Sequence, residues 1–175
     1  MPKRSKKNII QDERKIMEEL QKNAHQNYDT MSKRCGCSRQ KVWRFINRIE
    51  KDHSIWGYTA IVDYEKQNLK HFTLLMKRSM NPMGENNIED IISRKFDKML
   101  SDLGIFLESS FLVHGEYDWV ITFTTSDIKQ AKKACDFIVR MNKGLIEKVN
   151  LLETLFTLKR NHILNPDVKK LKEFL

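Results

Sequence analysis

Apolar residues recur with a helical period in the first third of the chain and with a strand period later. Ile16, Met17 and Leu20 fall on one face, with Glu13, Glu18 and Glu19 opposite. This predicts a helix over residues 13–23, with Asp12 as its cap. Asn27 is placed to cap a second helix that ends at Cys35, and Gly36 supplies a residue able to adopt positive φ and stop it. Ser38 then stands where an N-cap is wanted, ahead of a third helix from Arg39 to Lys51. In that helix Val42, Phe45, Ile46 and Ile49 form a single apolar stripe. Two helices joined by a tight Gly turn, the second rich in Arg and Lys, make the helix-turn-helix pattern.

The pattern then changes period. Ile55 to Val62 is β-rich with an internal Gly and reads as a strand that forms a wing. Residues 63–70 are polar and read as a linker. Phe72 to Met76 predicts a strand, Asn81, Pro82 and Gly84 a loop, and the apolar positions from Ile88 to Leu100 a helix. Ile105 to Val113 and Trp119 to Thr124 predict two strands around the turn 114–118. Ile128 to Met141 predicts a helix and Val149 to Leu158 a last strand. The order is βαββαβ, the ferredoxin-like arrangement. The fold class is therefore α+β: an N-terminal winged helix-turn-helix domain plus a C-terminal ferredoxin-like βαββαβ domain. The domain limits are a basic arm at 1–8, the helix-turn-helix domain at 9–62, the linker at 63–70, a dimerisation and effector domain at 71–160, and a tail at 161–175. A ferredoxin-like sheet has one face covered by helices, so the other face calls for a second copy. Pro166 to Leu175 predicts a short helix, with Val168, Leu171 and Leu175 along one side, available to dock on a neighbouring subunit.

Charge sharpens this picture. Residues 1–60 hold 14 Lys and Arg against 7 Asp and Glu, a net of +7, while the remaining residues hold 18 against 16, a net of +2. A basic lobe on a near-neutral body points to a polyanion, with nucleic acid the usual one. The arm PKRSKK either touches phosphates or is an inert tail. No apolar run approaches the roughly 20 residues of a bilayer span, and no secretion signal is visible, which predicts a cytoplasmic protein without membrane attachment. Three cysteines, an odd count, argue against a disulfide framework.

The candidate chemistry lies on the third helix. Ser38, Arg39, Gln40, Lys41, Arg44, Asn47, Arg48 and Lys51 mix phosphate-neutralising cations with side chains that read base edges: Arg pairs with guanine, Gln or Asn with adenine. Glu50 is the only acid between Ser38 and Lys51, whereas a merely solvated helix carries acids among its bases. Trp43 either stacks on DNA or packs under the wing, and packing is the expectation. Cys35 and Cys37 read as small apolar residues flanking the turn, since no second Cys/His pair lies at zinc-finger spacing. No Gly-rich phosphate loop, G-x-S-x-G or H-E-x-x-H motif occurs, so no catalytic residue, metal or cofactor is expected.

Residues 32–63, from Ser32-Lys33-Arg34 through Gly36 and Ser38 to Ile55, Gly57 and Tyr58, resemble the helix-turn-helix of the Lrp/AsnC transcription regulators. The turn Gly115-Glu116-Tyr117-Asp118 resembles a Gly-x-aromatic-Asp turn in the same family's second domain. The resemblance covers roughly residues 9–160. It implies a sequence-specific regulator that binds double-stranded DNA as a homodimer, with tetramers and octamers as further assemblies. It also implies sensing of an amino acid or other small effector near Gly115, Glu116, Tyr117 and Asp118. Two alternatives stay open: an architectural DNA-binding protein without an effector, and an enzyme like the sirohaem decarboxylase subunits on the same scaffold.

Overall fold

The computed structural model describes residues 6–93 and 95–175. They form two compact units: the described residues up to Ile61 together with Thr157–Leu175, and Val62–Phe156.

The first unit opens with three helices, α1 (Lys6–Lys22), α2 (Tyr28–Cys35) and α3 (Arg39–Lys51). Helix α2 starts where Asn27 Oδ1 accepts the Thr30 amide at 2.8 Å. It ends at Gly36, whose φ of 65° lets the amides of Gly36 and Cys37 return to the carbonyls of Lys33 and Ser32. A side chain at that φ would be strained. Ser38 Oγ then accepts the Lys41 amide and begins α3. The core is Ile16, Leu20, Met31, Cys35, Val42, Phe45, Ile46 and Ile49, the apolar stripes of all three helices turned inward.

Helix α1 begins earlier than its apolar stripe predicts. Lys6, Lys7 and Asn8, assigned to the arm, are helical, and Asp12 lies inside the helix rather than capping it. Residues 1–5 of the arm lie outside the described residues. The early turns escaped the pattern because Ile9 and Ile10 are exposed and carry no core-facing period. Ile55–Val62, predicted as a wing strand, has no regular secondary structure and no ladder partner among the described residues. Strand propensity supplies half of a ladder; the hydrogen bonds need a second strand. The unit's remaining part is a two-stranded hairpin, β5 (Lys159–Arg160) with β6 (Ile163–Leu164), and a 3₁₀ turn at Val168–Glu173 where a helix was predicted.

The second unit is a four-stranded antiparallel sheet in the order β2-β3-β1-β4. Its strands are β1 (Lys70–Arg78), β2 (Phe106–Leu112), β3 (Trp119–Thr125) and β4 (Ile146–Glu153). Helices α4 (Glu85–Ile92), α5 (Lys95–Asp102) and α6 (Ile128–Met141) complete the unit. This is the βαββαβ arrangement. Phe72, Leu74 and Met76 of β1 and Trp119, Ile121 and Phe123 of β3 point to the helices, where they meet Leu100, Ala131, Ala134, Cys135 and Ile138. Phe72 and Phe123 stack at 5.6 Å. Asp127 caps α6 by accepting the amides of Lys129 and Gln130, which hold its carboxyl below the usual range.

Two predicted elements shift. The helix over 88–100 is two helices, interrupted after Ile92, where Ser93 Oγ bonds back to the Asp90 carbonyl. The last strand covers Ile146–Glu153 rather than 149–158, because its pairing with β1 ends at Phe72 opposite Glu153. On the far face of the sheet no helix among the described residues covers the side chains. Phe111, Val120 and Leu75 form a cross-strand row there, with Phe106 and Leu152 nearby, and Phe106, Phe111 and Leu152 are exposed. At one edge of this face Tyr64, just after the linker's start, stacks on His71 and shares the Glu108 carboxylate with it, and His71 reaches Thr154 through its second nitrogen.

Candidate nucleic-acid interface

Helix α3 advances about 100° per residue, which sorts its side chains without further assumption. The four buried residues occupy one side. Gln40, Trp43, Arg44, Asn47 and Lys51 cluster on the opposite side, and Arg39 and Arg48 flank that cluster. Lys41 lies next to the buried stripe.

The contacts follow this ordering. Arg39, Gln40, Arg44 and Lys51 are exposed. Arg39 lies 3.6 Å from Asp29, a solvent-exposed pair that holds it weakly. Arg44 Nε donates to the Gln40 carbonyl at 3.4 Å, which lays its guanidinium along the helix surface. Asn47 Nδ2 donates to the Trp43 carbonyl at 2.9 Å, orienting the amide so that Oδ1 points away from the backbone. Trp43, Arg44, Asn47, Arg48, Lys51 and Asp52 line a shallow groove on this side. Trp43, expected to pack under a wing, is instead 52% exposed and forms one wall.

Two other predicted cations are engaged more closely by the protein itself. Lys41 is half-buried, and its ammonium pairs with Asp12 of α1. Arg48 pairs with Glu13 at 2.9 Å and sits 5.2 Å over the Phe45 ring, yet remains 56% exposed. Glu50, the helix's one acid, accepts from Tyr58 at 2.8 Å. Partial burial and this bond push the Tyr58 phenol up to about 12, so it stays a donor at neutral pH. Ser38 is exposed, with its hydroxyl on the α3 cap.

The second candidate cluster is the turn between β2 and β3. The Asp118 amide donates to the Met76 carbonyl, and Asp118 Oδ2 accepts the Arg78 amide at 2.8 Å. Asp118 thus ties the turn to β1. Lys148 of β4 reaches both neighbours, lying 3.8 Å from Glu116 and 5.8 Å from the Tyr117 ring centre. Gly115 and Glu116 are exposed at the tip. Beside this turn, Arg78 Nε is buried without a hydrogen-bond partner among the described residues. Sequence reasoning missed Arg78 and Lys148. Arg78 sits at a register shift after Lys77 that no periodicity announces, and Lys148 joins the cluster only through the pairing of β4 with β1.

Residues 13–53 match the winged helix-turn-helix DNA-binding family. No curated protein matches the chain by sequence. Solved structures do match. An AsnC family transcriptional regulator from Agrobacterium tumefaciens superposes with a TM-score of 0.62 at 22% identity, over 89% of this chain and 96% of that one. The chain has the Lrp/AsnC fold. AsnC of E. coli shares this fold at a TM-score of 0.55 and 16% identity, over 85% of this chain and 93% of that one. A transcriptional regulator from Neisseria meningitidis, solved as a complex with L-Met, shares it at 0.62 and 19%, over 90% and 94%. Within the Lrp/AsnC fold the predicted residues thus form two separate groups, one along α3 and one at the β2–β3 turn.

Proposed function

We propose that the chain is a sequence-specific, DNA-binding transcription regulator of the cytoplasm that acts by binding rather than by catalysis. One observation carries this reading: exposed Gln40, Arg44 and Lys51, with half-buried Asn47 among them, stand on one acid-free strip of α3, directly opposite its buried stripe. The strip enters the major groove. Arg44, Gln40 and Asn47 read base edges, and Arg39, Arg48, Lys51 and the Ser38 end of the helix hold phosphates. Lys41 contributes by fixing α3 against α1. No helix among the described residues is long and apolar enough to cross a membrane.

The active species is a homodimer. The uncovered sheet face with its Phe111–Val120–Leu75 row supports this, because a second copy would bury that row. The β2–β3 turn supports a small-effector site. The cations Arg78 and Lys148 suit the carboxylate of an amino acid, while Asp118 holds the turn in place.

Titrating a labelled duplex at several salt concentrations tests the reading. Kd should weaken steeply with salt, and Arg44→Ala should cost about 1–3 kcal/mol on a preferred sequence. Binding with no sequence preference in the wild type would end the specific-regulator reading. Thermal stability screened against the twenty amino acids tests the effector, since a ligand of the folded state raises the unfolding temperature.

A further inference from the structure

The C-terminal segment Thr157–Leu175 groups with the helix-turn-helix residues in one compact unit, although the whole sheet unit separates the two in sequence. It holds five Lys and Arg against two acids, a net of +3. The unit as a whole carries 19 bases against 9 acids, a net of +10, while Val62–Phe156 carries 13 against 14, a net of −1. The basicity of the chain is therefore confined to the unit that contains α3, and the tail shares in it.

The tail also presents its charge. Lys159, Lys169, Lys170 and Lys172 are all exposed. The β5–β6 hairpin reverses through Asn161 and His162, both at positive φ, so the tail is a formed element rather than an extended strand of chain. In the 3₁₀ turn at Val168–Glu173, residues three apart eclipse each other. Lys169 and Lys172 therefore line up along one edge, about 6 Å apart along the axis. Lys170 is tethered to Asp167 only at 3.8 Å, between exposed side chains.

We propose that this tail is a second DNA contact, in which Lys159, Lys169, Lys170 and Lys172 engage the sugar-phosphate backbone of the duplex that α3 reads. The inference rests on the regulator reading. Duplex DNA is favoured over other polyanions because both basic elements belong to one compact unit, and two cationic surfaces on one body serve one extended anion best. The tail supplies affinity without sequence information, since lysine meets phosphate as a point charge.

The test measures the affinity of the full-length chain for a random-sequence duplex several helical turns long, as a function of salt. Replacing all four tail lysines by Gln should make the slope of log K against log salt shallower by about one for each lysine engaged. A control, Lys132→Gln with Lys133→Gln on exposed positions of α6 in the other unit, should leave the slope unchanged. The four lysines replaced by Arg should keep the wild-type slope, which separates lost charge from lost folding. A four-Gln variant with the wild-type slope, on a wild type that does bind, overturns the tail contact and leaves the α3 reading standing. A changed oligomer mass with an unchanged slope overturns it too, by assigning the tail to a protein interface. A wild type without salt-dependent DNA binding overturns both proposals.

Discussion

The helical unit and the sheet unit each enclose a buried apolar core, with opposite electrostatics. Both cores are built of buried aliphatic and aromatic side chains with one cysteine each. The sheet unit encloses its core at a net charge of −1, so enclosing such a core does not require a strong excess of either sign. The +10 of the helical unit is in keeping with the DNA-binding family model that its residues 13–53 match. The charges show the same thing locally. Where a cation serves the fold it is paired and partly buried, as Lys41 is with Asp12. The cations proposed to meet DNA, Arg39, Arg44 and Lys51, are instead exposed, and Arg39 is only weakly paired.

If the two units are separate cooperative bodies, a core deletion in one leaves the other intact. Phe72 is fully buried in the sheet unit. Phe72→Ala should destabilise that unit by about 3–5 kcal/mol. Hydrogen exchange should then show protection lost in residues 62–156 while α1–α3 keep theirs. Equal loss in both would merge the two units into one and remove the contrast.

A smaller effect probes what the units share. Asp127 caps α6 in the sheet unit, and Glu19 of the helical unit bonds Lys22 and Arg34; both carboxyls are held below their ordinary values. A carboxyl whose folded pKa lies below its unfolded one contributes stability that is complete above about pH 4 and is lost as pH falls through the lowered value. Acid titration of the folded state should therefore weaken both units below about pH 4. Asp127→Asn keeps an amide-accepting cap but cannot titrate, so it should flatten the acid limb of the sheet unit alone. An unaltered limb would show that the Asp127 cap does not govern it.

Much of this was legible from residue order because the signals were local. Helix α3 could be bounded at both ends: Ser38 caps it, and its apolar stripe runs without a gap to Ile49. The same holds for α6 behind Asp127. Elements that depend on a partner were not legible. Ile55–Val62 has strand residues but no ladder partner among the described residues, and β5–β6 is too short to show alternation and turns through Asn161-His162 without a glycine. The candidate site divides in the same way. The outward strip of α3 follows from helical geometry alone. The engagement of Lys41 by Asp12, and the gathering of Arg78 and Lys148 at the β2–β3 turn, depend on elements distant in sequence that no window brings together.

Base reading by α3 is the property on which the proposed regulator function depends. Selection of bound duplexes from a random-sequence pool, run in parallel for the wild type and for Arg44→Ala, measures this directly. The wild type should enrich one motif with two-fold related halves, and the variant should lose preference at one position of each half. No enrichment by the wild type, or the same motif from both proteins, would contradict it.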